Sequence, residues 1–515
     1  MGISRLTRWE ISIFIRNGKK IMSSQTLKDA RQYEEKIGKA VPETDRPLFH
    51  LSSYSGWMND PNGFSFYKGE YHLFYQYFPY DNRWGPMHWA HATSKDLLNW
   101  KYQPAALAPD TKPDADGCFS GSAMELEDGS HLLFYTGVNV TGTYGIYVQQ
   151  QCVAIKDKDG EEYVKYEGNP VLTSKDLPEG YSRYDFRDPK MFRLKDGTIG
   201  AVICSCKDKD GRIAYYTSKD GFNWDFKGIL AENNGRFGTI WECPDFFELD
   251  GKHVLICSPM NMRKTRTKYN SGNGTMALIG EFDEENTKLI EEVDQPVDGG
   301  IDFYAPTTML APDGRRIMIA WMQNWETIVY GSKDQFPWFG MMTVPRELHV
   351  IDNHLCQTPI RELENLRRDK VVYKNVEVSE WMTLHRLEGR TIDMTINVRP
   401  HETEDYRHFE VRFAQGDDMF VSARYRRSDG FVTVDRRYSG IRNAVINQRK
   451  MKVKDTDGWL KLRIILDRFS AEIFINDGEQ AISTTFYTPQ SCNGVSFSSD
   501  GVAVMDVEKY DLSFD

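Results

Sequence analysis

Thr93-Ser94-Lys95-Asp96-Leu97-Leu98-Asn99-Trp100 returns later in the chain as Thr217-Ser218-Lys219-Asp220-Gly221-Phe222-Asn223-Trp224. Around both copies runs one texture, a short apolar strand, a turn of Asp-Gly type and another strand. Lys68-Gly69 joins 64–67 to 70–77 as a hairpin. Asp128-Gly129 precedes the run 131–135. Asp196-Gly197 follows 191–194, Asp250-Gly251 separates 246–249 from 253–256, and Asp313-Gly314 precedes 316–321. Apolar runs of this length bounded by Asp-Gly pairs are strand-and-hairpin signals. Strand units recurring at a fixed period build radial β architectures. With two units separating the copies, each unit is about 62 residues. The region from about 50 to 350 then holds five units of four strands. The expected fold class is all-β, a five-bladed β-propeller, with a β-sandwich or large barrel as the competing arrangement.

Residues 27–37 have helical spacing and helix-forming composition, which predicts a short helix packed on the main body. Residues 358–369 read as a second short helix with Pro359 at its start. Beyond it strands resume with a different spacing, eight or more over about 145 residues, which suggests a β-sandwich. The expected organisation is an N-terminal extension and helix at 1–45, the propeller at 46–357, a helical linker at 358–370 and a β-sandwich at 371–515.

The 515 residues carry 27% charged and 40% hydrophobic side chains, an ordinary globular balance, and a net charge of -11. That charge gives nucleic-acid binding little support. No apolar run approaches the roughly 18 residues of a membrane span. The N-terminal run 11–15 is shorter than a secretory apolar segment, so no signal peptide is expected, and Met22 is an alternative start. The 8 cysteines are scattered without zinc or disulfide spacing, which fits a reducing cytoplasm. No metal site and no cofactor are indicated. His88 and His91 read as structural polar contacts.

Three short motifs in the expected propeller place an acid beside or near a proline: Asp60-Pro61, Asp188-Pro189 and Glu242-Cys243-Pro244. Asp60 lies in Trp57-Met58-Asn59-Asp60-Pro61-Asn62-Gly63, which by its Pro and Asn-Gly reads as a tight turn aiming the carboxylate. The three would stand on different blades and meet at the central funnel. Buried like charges repel unless they are paired or used. A carboxylate pair is what glycoside hydrolysis needs. Cys243 beside Glu242 reads as a small buried group able to pack against that acid.

The chain resembles glycoside hydrolase family 32, the invertases and fructan hydrolases. The matching stretches, in order, are WMNDPNG (57–63), FYQ (74–76), WG (84–85), HWAHATSKDLLNW (88–100), FSGSA (119–123), RDP (187–189), WECPD (241–245), DFYAP (302–306), WMQNW (321–325) and LDRFSAEIFINDG (466–478). The resemblance implies Asp60 as nucleophile, Glu242 as general acid/base and Asp188 as the stabiliser gripping fructosyl hydroxyls. It also implies a substrate pocket from Trp57, Asn59, Gln76, Trp84, Phe119, Ser120, Arg187, Tyr304 and Trp325, with Trp321 a rival for Trp325. Arg187 would hold Asp188 ionised. The implied reaction is retaining hydrolysis of a terminal non-reducing β-fructofuranosyl residue of sucrose or short fructo-oligosaccharides. An exo-acting inulin or levan hydrolase and a fructosyltransferase are alternatives on the same scaffold. A non-catalytic sugar-binding protein is a more distant one. The sandwich is expected to be a structural cover, with sugar binding or homo-oligomer formation as its other uses.

Overall fold

The computed structural model describes residues 23–141, 145–182, 184–327, 337–440, 446–456 and 459–514. The basic N-terminal stretch and the alternative start at Met22 lie outside them. Five inner strands organise the first domain: β1 (Gly56–Tyr67), β2 (Gly117–Glu125), β3 (Arg187–Arg193), β4 (Trp241–Leu249) and β5 (Tyr304–Leu310). Each starts an antiparallel four-stranded meander, blades I to V, running outward from the axis. Each inner strand packs on the next, and β5 returns to β1. Blade I gains a fifth short strand, Trp338–Phe339, parallel to the start of β1. The inner strands begin at 56, 117, 187, 241 and 304, an average step equal to the blade length that the duplicate predicts.

The duplicated octapeptides occupy the same corner of blades I and III, between third and fourth strands. Asp96 Oδ1 accepts from the backbone N–H of Leu98 and Asn99 at 3.0 and 2.7 Å, and Asp220 Oδ1 from Phe222 and Asn223 at 2.8 Å each. Such an Asx turn organises the backbone just beyond it. The next residue is left-handed in both, Gly221 at φ 80° and Leu97 at φ 67°. Leu97 holds that conformation because its side chain is fully buried.

Helix α1 (Gln25–Gly38) begins with Ser24 accepting from Leu27 N–H. It lies on the outer strand of blade I, where Arg31 Nε donates to Ala105 O at 2.8 Å and Glu34 accepts from Ala105 N–H at 2.8 Å. Burial raises the Glu34 carboxyl to about 7.

The second domain is a β-sandwich of a six-stranded and a five-stranded antiparallel sheet. The inward faces interdigitate around Ile396, Phe409, Val411, Phe413, Ile464 and Phe497. The linker is shorter than the sequence suggests. Blade V runs to Pro359, a 3-10 helix spans Arg361–Leu366, and the sandwich strand Arg367–Val378 starts at once. Leu363 and Leu366, three residues apart, are the buried pair, and that spacing superimposes them in a 3-10 turn.

The domains share one apolar cluster, in which Ile465, Phe474 and Ala481 meet Ile317, Ile319 and Leu363. Inside it lies a buried ionic network. Arg346 donates to Glu472 Oε2 from Nε at 3.0 Å and to Asp298 at 3.0 Å. His50 bridges Asp467 and Glu472 at 2.8 Å each. Burial pulls His50 down, but the two carboxylates outweigh it and hold the imidazole up at about 9. Removing one member strands buried charges on the others, so Arg346→Met is expected to destabilise the fold by about 3–5 kcal/mol. A denaturant midpoint unchanged from the parent would show that the network contributes nothing.

Candidate active site

Every inner strand carries a β-bulge within its first residues, between Met58 and Pro61, Phe119 and Gly121, Arg187 and Lys190, Glu242 and Asp245, and Tyr304 and Thr307. A bulge adds a residue and re-aims the side chains beside it. Asp188, Cys243 and Ala305 are left-handed there, with φ of 60°, 49° and 50°, and each precedes a proline. Positive φ on such residues is strained and concentrates at functional sites. Residues 57–63 are therefore no surface turn. They lie inside β1, with Gly63 at φ 54° in a second register shift, between Asn62 and Ser65. Pro and Asn-Gly suit a bulged inner strand as well as a turn, because both need a missing N–H or a left-handed residue.

The five bulges converge on three acids. Asp60 Oδ1 accepts from Asn59 Nδ2 at 3.0 Å, and Oδ2 from Gln76 Nε2 at 3.0 Å and Ser120 Oγ at 2.6 Å. Cys243 Sγ lies 3.5 Å from Asp60 Oδ2 and 3.7 Å from Asp188 Oδ2. Asp188 Oδ2 also accepts from Cys243 N–H at 3.0 Å, and its own N–H donates to Thr136 Oγ1 at 2.9 Å. Glu242 is held from both sides, by Arg187 Nη2 at 2.9 Å and by the Tyr304 hydroxyl at 2.5 Å. Ser258 O lies 3.0 Å from the same hydroxyl as a second acceptor for its one proton. Gln149 and Asp185 hold the other guanidinium nitrogen, Nη1, at 3.2 Å each.

Burial raises Asp60 above the usual aspartate range, against the hydrogen bonds of Ser120 and Asn59. Burial also raises Asp188, to about 7, and here Arg187 only opposes it. Arg187 was expected to keep Asp188 ionised. Its nearest approach to Asp188 is 3.8 Å, against 2.9 Å to Glu242, so its charge is spent mainly on Glu242. Burial, with Asp188 and Asp60 next, drives the Cys243 thiol far up, so it stays a neutral S–H donor between those two carboxylates. It braces them rather than packing on Glu242.

An aspartate raised in the folded state binds its proton more tightly there than in the unfolded chain. Its stabilising contribution is complete below the unfolded value and is lost as pH climbs through about 7. Asp188→Asn removes that loss, worth up to about 4 kcal/mol. The variant is expected to melt above the parent at pH 8 and near it at pH 4. A parent that melts as high at pH 8 would remove Asp188 from the pH dependence.

The aromatic residues form the wall. Trp57 is fully buried, and its Nε1 donates to Asn59 Oδ1 at 2.7 Å. Trp325 is half-buried and stacks on Trp57 with centroids 5.8 Å apart. Its rival Trp321 is fully buried behind them. Trp84, 39% exposed, meets the edge of Phe119 at 6.1 Å and stands at the mouth. Below the acids a void of about 20 Å³ is lined by Asp188, Lys190, Cys243 and Thr307. Lys190 and Asp245 pair there at 3.0 Å.

Two family models cover nearly the whole chain: "Glycosyl hydrolases family 32 N-terminal domain" over residues 50–359 and "Glycosyl hydrolases family 32 C terminal" over 362–513. The chain belongs to glycosyl hydrolase family 32. It is a glycoside hydrolase, a propeller followed by a sandwich. It is 34% identical to the raffinose invertase of Escherichia coli, over 93% of this chain and 98% of that one. It is 33% identical to a sucrose-6-phosphate hydrolase of Escherichia coli, over 94% and 98%. The structure of a Bombyx mori family 32 β-fructofuranosidase mutant in complex with sucrose superimposes with a TM-score of 0.80 at 32% identity, over 96% of this chain and 99% of that one.

In this family 32 chain the twelve residues singled out by sequence all reach the funnel or its wall. Sequence reasoning passed over Thr136, Gln149, Asp185 and Ser258. These brace Asp188, Arg187 and Tyr304 from second and third strands and from a loop, and no local pattern marks them. His88 and His91 are buried, His88 on Pro86 O at 2.9 Å and His91 against His72 at 2.9 Å. Among the described residues no cluster of three or more His, Cys, Asp or Glu could hold a metal ion.

Proposed function

We propose that the protein is a retaining β-fructofuranosidase that releases the terminal non-reducing fructosyl unit of sucrose and short fructo-oligosaccharides. The observation that carries this is the division of labour among the three acids. Asp60 is buried under three hydrogen bonds and a thiol, which fix its carboxylate and favour the ionised form against burial. Glu242 keeps 18% of its side chain open, against 6% for Asp188. The acid that protonates a leaving group must reach it, and Glu242 is the more open of these two. Asp60 then attacks the anomeric carbon while Glu242 protonates the departing oxygen. Water enters with Glu242 as base. Asp188, Arg187, Asn59 and Gln76 grip fructosyl hydroxyls, and Trp57, Trp84, Phe119 and Trp325 enclose the ring. All 8 cysteines are free, which supports a reducing, cytoplasmic setting.

A second reading, hydrolysis of 6-phosphorylated sucrose, rests on one segment. Arg263, Lys264, Arg266 and Lys268 are all exposed in a chain of net charge -11. Their loop follows Met260, whose sulfur lies 3.9 Å from Arg187 Nη2. A cationic rim on the funnel side would suit a phosphoryl group.

One panel decides between them: fructose release from sucrose, sucrose 6-phosphate, 1-kestose, inulin and levan, with transfer products scored. The first reading expects sucrose and 1-kestose to lead. A kcat/KM at least about tenfold higher for the phosphate ester selects the second. A lead by levan or inulin overturns both.

A further inference from the structure

Blades III and IV part on the face away from the acids, at the far ends of β3 and β4, and leave a cavity of about 500 Å³. That is within the range of roughly 300–1,000 Å³ typical of ligand sites. Its floor is aromatic. Phe192, Tyr215, Phe246, His253 and Phe282 line it, and their centroids stand 5.3–5.8 Å apart around a closed circuit. Interblade cores are usually sealed by such rings. Here Phe192 and Phe282 remain half-exposed.

The polar groups of the floor are unspent. Tyr215 is 4% exposed, yet its hydroxyl makes no hydrogen bond to any described residue. Burial raises that hydroxyl to about 12, with Glu284 and Asp196 adding to it, which places both carboxylates near the phenol. His253 Nδ1 is buried without a partner. Burial lowers that imidazole and keeps it neutral, able to donate from one nitrogen and accept at the other. A buried polar atom without a partner costs free energy that a ligand can return.

The rim carries both signs equally. Arg193, Lys195 and Lys227 face Asp196, Glu248 and Glu284. Lys195 and Glu248 pair at 3.1 Å, and Arg193 donates to Gly197 O and Glu125 O. Lys227 and Glu284 are exposed and make no ion pair among the described residues. A rim of zero net charge selects against phosphate and against cations. A purely apolar ligand would leave these groups dry. What matches rings below and mixed hydrogen-bonding groups above is a neutral ring with an apolar face and a hydroxylated edge.

We propose that this cup is a second sugar-binding site, taking one or two neutral sugar units of an oligosaccharide by stacking on Phe192 and Phe282. Tyr215, His253, Lys227 and Glu284 meet the hydroxyls. It would hold a saccharide to the enzyme without turning it over, at a place remote from the funnel.

The test is calorimetric titration of 1-kestose into the full chain carrying Asp60→Ala, so that sugar is not consumed. Adding Tyr215→Phe and Lys227→Ala is expected to weaken one class of binding at least about tenfold, whether one class or two is seen before. Glu284→Ala, at an exposed position, repeats the test without touching the floor. The same cup substitutions in the chain with Asp60 intact are expected to leave its rate of fructose release unchanged, which also shows that the fold survives. If no class of binding moves with any of these substitutions, the cup is not a sugar site. Failure of the unsubstituted chain to hydrolyse sucrose would overturn the funnel reading alone, because the cup is judged only by the substitutions within it.

Discussion

Asp60→Ala is expected to lower kcat for the preferred substrate at least about 10⁴-fold with the fold intact. The loss is large because no neighbour can replace this carboxylate. Asp188 accepts from the Cys243 N–H at 3.0 Å, and its strained backbone fixes its direction. Glu242 is held between Arg187 and Tyr304. On the proposed retaining mechanism, loss of Asp60 removes the covalent fructosyl intermediate that splits the reaction into two easier steps. Stability moves little because two terms oppose. Asn59, Gln76, Ser120 and Cys243 lose a shared acceptor, but Asp188 loses a repelling negative charge. Added azide, entering the space left by the carboxylate, is expected to restore part of the rate and to give a product of inverted configuration. Residual hydrolysis above about 1% of the parent, with native circular dichroism, would remove Asp60 from the chemistry.

The inner-strand bulges explain how much of this site could be read beforehand. The bulges place two rings of residues at the funnel. Asn59, Phe119, Arg187, Glu242 and Tyr304 form one, and Asp60, Ser120, Asp188, Cys243 and Ala305 stand one position further along each strand. Of these ten, the three acids stood out by the prolines beside or near them, Asn59, Phe119, Ser120, Arg187 and Tyr304 were implied only by the resemblance to family 32, and Cys243 and Ala305 were not marked as site residues. The blade count was legible for a different reason. Asx turns at 94–99 and 218–223 recur because the same corner needs the same backbone. What stayed hidden is set by packing across blades. Nothing near Arg187 in the chain says that its guanidinium serves Glu242 more than Asp188, because that choice depends on how the inner strands of two neighbouring blades pack. The linker was misjudged because a proline followed by spaced leucines suits an α-helix and a 3-10 turn equally. The adjacent sandwich strand, anchored by pairing of Arg367 with Leu512, leaves room only for the shorter form.

Glu242→Gln separates acid catalysis from binding. For sucrose, whose leaving oxygen needs a proton, kcat is expected to fall about 10²–10⁴-fold. The amide keeps the volume of the acid, and its oxygen can still accept from Arg187 Nη2, now at 2.9 Å, so KM should change little. Tyr304 can donate to Ser258 O at 3.0 Å and stays in place. A nitrophenyl β-fructofuranoside has a leaving group that departs without protonation. On that substrate the first step should be nearly as fast as in the parent. Water attack on the fructosyl-enzyme still lacks its base, so a burst of nitrophenol followed by slow turnover is expected. Equal losses on both substrates, with no burst, would mean that Glu242 positions the sugar and that proton transfer belongs to another group. Asp188, raised by burial to about 7, would then be the group to test.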